Sequence, residues 1–161
     1  VIWMKIIDFL ELYSGRWFSQ RTHYNLASTE VENRKADLTI ELLSPEDPII
    51  AEICKDSLAG LKTSWDTSVD WAQTKEIGSS LLIFSTDGCV FLQDKQSFLK
   101  GSYCLENQEM LIINLQSDNY EMEERIWFPS SNFRLRTSVV KQEFPQTSFY
   151  SEIRKLAPKE S

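Results

Sequence analysis

Apolar residues recur at spacings of three and four near the start of the chain, at Ile6, Ile7, Phe9, Leu10 and Tyr13, with Asp8 and Glu11 between them. That period predicts a short amphipathic helix, which Ser14-Gly15 ends. The pattern then changes. Residues 16–26 are rich in Trp, Phe, Thr and Tyr, and residues 35–43 alternate, with Leu38, Ile40 and Leu42 on one face and Thr39 and Glu41 on the other. Both segments read as half-buried strands. A second helix is predicted where Asp47 serves as N-cap and Pro48 takes the first helical position, with Ile49, Ile50 and Ile53 along one side.

From Leu61 onward a series of short strands is expected, over residues 61–66, 69–74, 79–85, 89–94, 97–105, 110–116, 121–128 and 133–143, with Asp87-Gly88 as a hairpin signal. So many strands about ten residues apart, with little helix between them, predict an all-β dominated fold. The antiparallel sheet either closes on itself or doubles into a sandwich. A barrel is preferred, because only closure removes the exposed edges. No repeat, low-complexity tract or Gly/Ser linker divides the chain, and Gly and Pro number five each, so residues 1–161 are expected to form one domain.

Charge and composition narrow the chemistry. Seventeen Lys+Arg against 24 Asp+Glu give a net charge of -7, a field that repels phosphate backbones and anionic lipid, so no nucleic-acid partner is expected. The longest apolar runs, 81–84 and 110–113, fall far short of the ~20 residues of a spanning helix. The three cysteines, Cys54, Cys89 and Cys104, form no CxxC pair, and an odd number cannot all pair within one chain, so reduced thiols are expected. One histidine, His23, and scattered cysteines cannot assemble a tetrahedral zinc site or a two-histidine iron site, so no metal is expected. No GxSxG signature accompanies any serine. His23 itself reads as a hydrogen-bonding residue on a strand.

The stretch from Glu121 to Phe128, followed by Asn132 to Val140, is the most informative. In an extended strand Arg134, Arg136 and Ser138 share one face, opposite Phe133, Leu135 and Val139. Two guanidinium groups facing the same way need anions to answer them. They are solvated, pair with Glu123 or Glu124 on the neighbouring strand, or meet a ligand with two acid groups. Glu124 shares a face with Met122 and Ile126, an odd place for a carboxylate unless it answers a cation or an N–H donor. Trp65 and Trp71 flank the acidic turn from Asp66 to Asp70. They read either as ordinary barrel packing or as flat rings that grip a large planar molecule.

Gly15-Arg16-Trp17 resembles the Gly-x-Trp signature of lipocalins. A wider resemblance rests on Trp17-Phe18-Ser19-Gln20-Arg21-Thr22, Ser64-Trp65-Asp66 with Trp71 close behind, Glu123 to Phe128, Asn132 to Ser138, and Ser148 to Arg154. Together, in order and over about residues 9–154, these resemble the S-type phycobiliprotein lyases, the CpcS/CpeS chromophore lyase family. The resemblance implies a lipocalin-like (calycin) antiparallel β-barrel with an N-terminal helix and one inserted helix. It implies a lyase that binds an open-chain tetrapyrrole (a bilin) and joins it by a thioether bond to a cysteine of a phycobiliprotein subunit. By position, Glu124, Arg134 and Arg136 match the family's bilin-handling residues. Arg21, Asn25, Trp65, Trp71 and Ser138 match pocket positions. The implied setting is cytoplasm or plastid stroma. The partners are the bilin and a phycoerythrin- or phycocyanin-type apo-subunit, with a homodimer left open.

The sequence departs from the family pattern in two places. Tyr24 stands where a histidine is expected, with the only histidine shifted by one, and the segment 84–98 lacks an acidic, proline-containing loop. Of the two bilins, phycoerythrobilin is slightly favoured over phycocyanobilin. The competing reading is a noncatalytic lipocalin-like carrier of a bilin or another hydrophobic acid.

Overall fold

The computed structural model of the chain describes residues 5–71, 74–119 and 121–156. Helix α1 (Ile6–Glu11) precedes strands β1 (Gly15–Asn25) and β2 (Glu30–Leu43), and helix α2 (Pro48–Ile53) leads into β3 (Ser57–Asp66). Then come β4 (Ile77–Ser85), β5 (Cys89–Gln93), β6 (Phe98–Glu106), β7 (Met110–Gln116), β8 (Glu121–Ser130), β9 (Phe133–Lys141) and β10 (Gln146–Arg154). Each strand pairs with the next, and β10 returns antiparallel to β1, so ten strands close an antiparallel barrel with one N-terminal and one inserted helix, as expected. Closure leaves no strand edge open to another chain.

Helix α1 plugs one end of this barrel. Phe9 and Leu10 are buried, and Phe9, Tyr13 and Trp17 gather around Phe128 at ring separations of 5.3, 5.4 and 6.0 Å. The Trp17 indole N–H donates to the Tyr13 carbonyl at 2.9 Å, which fixes the turn between helix and strand. Arg154 latches the joint from the far end of β10: its guanidinium donates to the carbonyls of Leu12 (2.7 Å), Ser14 (2.5 Å) and Ser131 (3.0 Å) and stacks 4.2 Å over Trp17. Gly15 makes this approach feasible. Its φ is +132°, and a Cβ there would stand 2.6 Å from an Arg154 nitrogen. The Gly-x-Trp motif is therefore the seat of an arginine. At α2, Asp47 caps as predicted by accepting the Ile49 N–H at 3.0 Å, and Ile50 is buried against the barrel wall.

The interior has two chemically distinct halves. Strands β2 to β7 contribute Leu38, Ile40, Leu61, Phe84, Val90, Leu111, Ile113 and Leu115 to one apolar cluster. Strands β9, β10 and β1 turn polar side chains inward instead: Arg134, Ser138, Ser148, Glu152 and Ser19 are all buried.

Two elements differ from the sequence expectation. Residues 69–74 do not form a strand among the described residues; Asp66 accepts the Ser68 N–H at 2.9 Å, and Thr67 clasps the carbonyls of Thr74 and Glu76. These local bonds close a loop before a ladder can begin. Conversely, β10 is a full strand that hydrophobic alternation does not announce. Its inward positions are Ser148, Tyr150 and Glu152, while Phe149 and Ile153 are exposed.

Candidate functional site

A cavity of about 440 Å³ lies between the two halves, bounded by Leu38, Leu61, Leu82, Leu92, Ile113 and Leu115 on one side. Arg21, Glu124, Arg134, Arg136 and Tyr150 face them. Its size falls within the range of small-molecule sites. Helix α1 closes the floor, where Tyr13 lines the cavity, and the wall ascends through Arg21, Arg34, Thr67 and Glu76 toward the opposite end, which no helix of the described residues covers.

The polar wall is built by strand register. Glu152 of β10 stands opposite Arg134 of β9, and Tyr150 stands opposite Arg136, so their side chains share the inward face. Arg134 Nε donates to Glu152 at 2.8 Å, and Arg136 Nε donates to the same carboxylate oxygen at 2.6 Å. A third bond runs from Arg136 Nη2 to the other Glu152 oxygen at 3.3 Å, and Arg136 Nη1 reaches Glu124 on β8 at 3.3 Å. The Arg136 guanidinium also lies 3.9 Å over the Tyr150 ring, while that of Arg134 sits 4.9 Å from Tyr13 and 5.3 Å from Trp17. Two cations and two carboxylates thus balance inside the barrel.

Burial and charge set the protonation of this cluster. Burial alone would push the Glu152 carboxyl up, but Arg136 and Arg134 outweigh it and hold it at about 2. Burial opposes the charge on Arg136, and Glu152 and Glu124 reverse that, so Arg136 stays firmly protonated. Burial raises the Tyr13 phenol well above the usual phenol range, which keeps it neutral. Burial and the charge of Arg21 lower His23, which shares a 2.7 Å hydrogen bond with Ser148. That is the hydrogen-bonding role expected of it on its strand.

The sequence-derived candidates separate in space. Glu124, Arg134, Arg136, Arg21 and Trp65 come together around the cavity. Trp65 lies flat against Gly78 on the adjoining strand, where a Cβ would come within 2.4 Å of its ring. Ser138 is buried on the same face of β9, paired with Glu124 and Ser148, just beyond the cavity lining. Asn25 ends β1, its side chain accepting the N–H groups of Ala27 (3.0 Å) and Ser28 (3.4 Å), so it shapes a turn. Trp71 is 97% exposed in the β3–β4 loop and does not line the cavity. Sequence reasoning missed Glu152, Tyr150 and Tyr13. Glu152 and Tyr150 were signalled only by the period-two run Ser148, Tyr150, Glu152, and Tyr13 was absorbed into the apolar face of the helix.

Neither arginine is left to bulk water. Arg134 is 2% exposed and paired, so the sequence alternative of solvated guanidiniums does not hold, and Glu123 pairs with Arg125 on the outside at 2.7 Å. Among the described residues no cluster of three or more His, Cys, Asp or Glu has the arrangement to hold a metal ion. Cys54, Cys89 and Cys104 are free thiols. No helix of the described residues is long and apolar enough to cross a membrane.

The fold and site define a closed antiparallel β-barrel with an internal cavity and a charged wall. A family profile described as "CpeS-like protein" matches residues 5–155, and the chain belongs to that family. Chromophore lyase CpcS/CpeS 1 of Trichodesmium erythraeum is 36% identical over 95% of this chain and 99% of its own length. Chromophore lyase CpcS/CpeS of Thermosynechococcus vestitus is 35% identical, covering 95% and 94%. The solved S-type phycobiliprotein lyase CPES of Guillardia theta superposes with a TM-score of 0.80 at 22% identity over 96% of this chain and 95% of that one, which supports the fold. The activity class is accordingly that of a chromophore lyase of the CpcS/CpeS type.

Proposed function

We propose that the barrel holds an open-chain tetrapyrrole, in a stretched conformation, and delivers it to a cysteine of a phycobiliprotein subunit. The observation that carries this reading is the Arg134–Glu152–Arg136–Glu124 cluster set into the wall of a cavity whose facing side is aliphatic, with Leu38, Leu61, Leu82, Leu92, Ile113 and Leu115. A bilin offers matching groups: two propionates, four ring nitrogens and an extended π system.

The geometry suggests how the polar groups divide the work. Arg136 holds Glu152 through two bonds, at 2.6 and 3.3 Å, but reaches Glu124 through a single bond at 3.3 Å. An incoming propionate competes best at that single bond, because a charge-assisted contact replaces another of the same kind. Glu124 is then released to accept the pyrrole N–H groups. Arg21, whose Nε is buried and without a hydrogen-bond partner among the described residues, is the second cation for a propionate. Trp65, held flat by Gly78, offers a face for stacking.

In the transfer step the acceptor's thiol adds across the exocyclic ethylidene double bond of ring A. A C–S bond forms, the C=C π bond breaks, and the thiol proton passes to the neighbouring ring carbon. Nothing leaves. The lyase contributes by orienting the chromophore and shielding the reactive carbon from other thiols. The acceptor subunit would approach the end of the barrel opposite α1.

Absorption titrations of Arg136→Ala and Glu124→Gln with phycoerythrobilin and with phycocyanobilin test the reading, followed by incubation with apo-subunit. The wild type is expected to give a red-shifted, sharpened band and a denaturation-resistant adduct. Both variants are expected to lose band and adduct. Normal binding and transfer by both would remove the assignment.

A further inference from the structure

Tyr13 is 5% exposed, lines the cavity floor, and its hydroxyl has no hydrogen-bond partner among the described residues. A buried hydroxyl left unpaired is costly, so its retention asks for a reason. Packing does not supply one. The ring is held by Phe9, Phe128 and the Arg134 guanidinium, contacts that a phenylalanine would make equally well. The hydroxyl is what the packing leaves unused.

Its surroundings select the group it would meet. The charges that act on Tyr13 are Arg134, Glu124, Arg136 and Glu152, two of each sign. Arg134 and Glu152 are fully buried and bonded to each other, so the floor is polar but balanced in charge. A carboxylate pushed this deep would bring an unanswered charge into a site where charge is already matched. A neutral acceptor brings none. A phenol that stays protonated donates one directional hydrogen bond to such an acceptor.

We propose that Tyr13 is a ligand-binding residue whose hydroxyl donates to the lactam carbonyl of a terminal ring, fixing which end of the tetrapyrrole enters first. Resting on the bilin reading above, this puts the non-reacting terminal ring on the floor, against Tyr13. The propionates lie midway, at Arg136 and Arg21. The ring that accepts the thiol lies at the uncovered end, where another protein can reach it. The opposite insertion would bury the reactive carbon under α1.

Tyr13→Phe tests this, with phycocyanobilin as the probe. The variant keeps the ring and removes only the hydroxyl. Its dissociation constant, from absorption titration, is expected to rise about five- to tenfold, and the lactam carbonyl stretch of the bound bilin in vibrational spectra should move to higher frequency. The melting temperature without ligand should be unchanged or higher, since no internal hydrogen bond is removed. Unchanged affinity and an unmoved carbonyl band would overturn the assignment, as would a fall in ligand-free stability that accounts for the weakened binding. If the wild type itself gives no bilin spectrum, the bilin reading fails and takes this one with it. If the wild type binds and Tyr13→Phe is indistinguishable from it, only the role of Tyr13 fails.

Discussion

Glu152 has no exposed surface, yet it is charged, because it accepts bonds from Arg134 and Arg136 together. Removing its charge while keeping its shape, as Glu152→Gln does, leaves Arg134 buried with no counterion. Breaking a buried pair from one side costs about 3–5 kcal/mol. That loss should appear as a lower urea midpoint with little change in slope, and a midpoint within error of wild type would show the pair to be idle. The same residue gives a pH signature. Its carboxyl is depressed from 4.5 to about 2, so its contribution is complete above pH 4.5 and disappears as pH falls through 2. Wild-type stability should therefore drop more steeply than that of Glu152→Gln between pH 4.5 and 2. Parallel curves would contradict the coupling.

Helix α1 is six residues long, too short to persist alone, so its place over the floor depends on what holds it. Arg154 supplies the latch, and Gly15 supplies the room for it. Gly15→Ala forces a side chain into a backbone with φ +132° and against the arginine, and is expected to cost about 1–3 kcal/mol. Amide exchange over residues 9–13 should accelerate more than exchange in β7; equal acceleration would mean that the latch is not local. Much of this architecture was legible in the sequence. The period change after Tyr13, the Asp47-Pro48 cap and the Asp87-Gly88 turn each state a local preference that the fold obeys. The face of β9 that carries Arg134, Arg136 and Ser138 was legible too, because a strand has only two faces. What could not be read is which side was inside. Phe133, Leu135 and Val139 look like the core face, but the barrel turns the arginines inward, since Glu152 answers them across the next strand. Strand β10 was hidden for the same reason: its buried positions are polar, and hydrophobic alternation assigns such a segment to the wrong face or to none.

At the scale of the whole molecule, exposed apolar side chains are distributed unevenly between the two ends of the barrel. Tyr24, Leu26, Val31, Val69, Trp71, Ile77, Phe98 and Phe144 are all exposed, and all belong to the loops or strand ends opposite α1. Two of these turns are joined, the Leu26 N–H donating to the Pro145 carbonyl at 3.3 Å. On the proposed reading, a protein receiving the cargo would cover this cluster, which surrounds the end that no helix of the described residues covers and includes Trp71. Apolar contacts at such a rim serve encounter and hold the partner without touching a ligand deeper in the barrel. The double variant Leu26→Ser with Phe144→Ser should therefore keep the bilin affinity of the wild type within about twofold. The rate of adduct formation on an apo-phycobiliprotein subunit should fall about tenfold or more, the size expected when two buried interface side chains are truncated at roughly 1 kcal/mol each. Measuring binding and transfer on the same preparation separates the cases: loss of both would place these residues in the ligand site, and loss of neither would leave the acceptor to dock elsewhere.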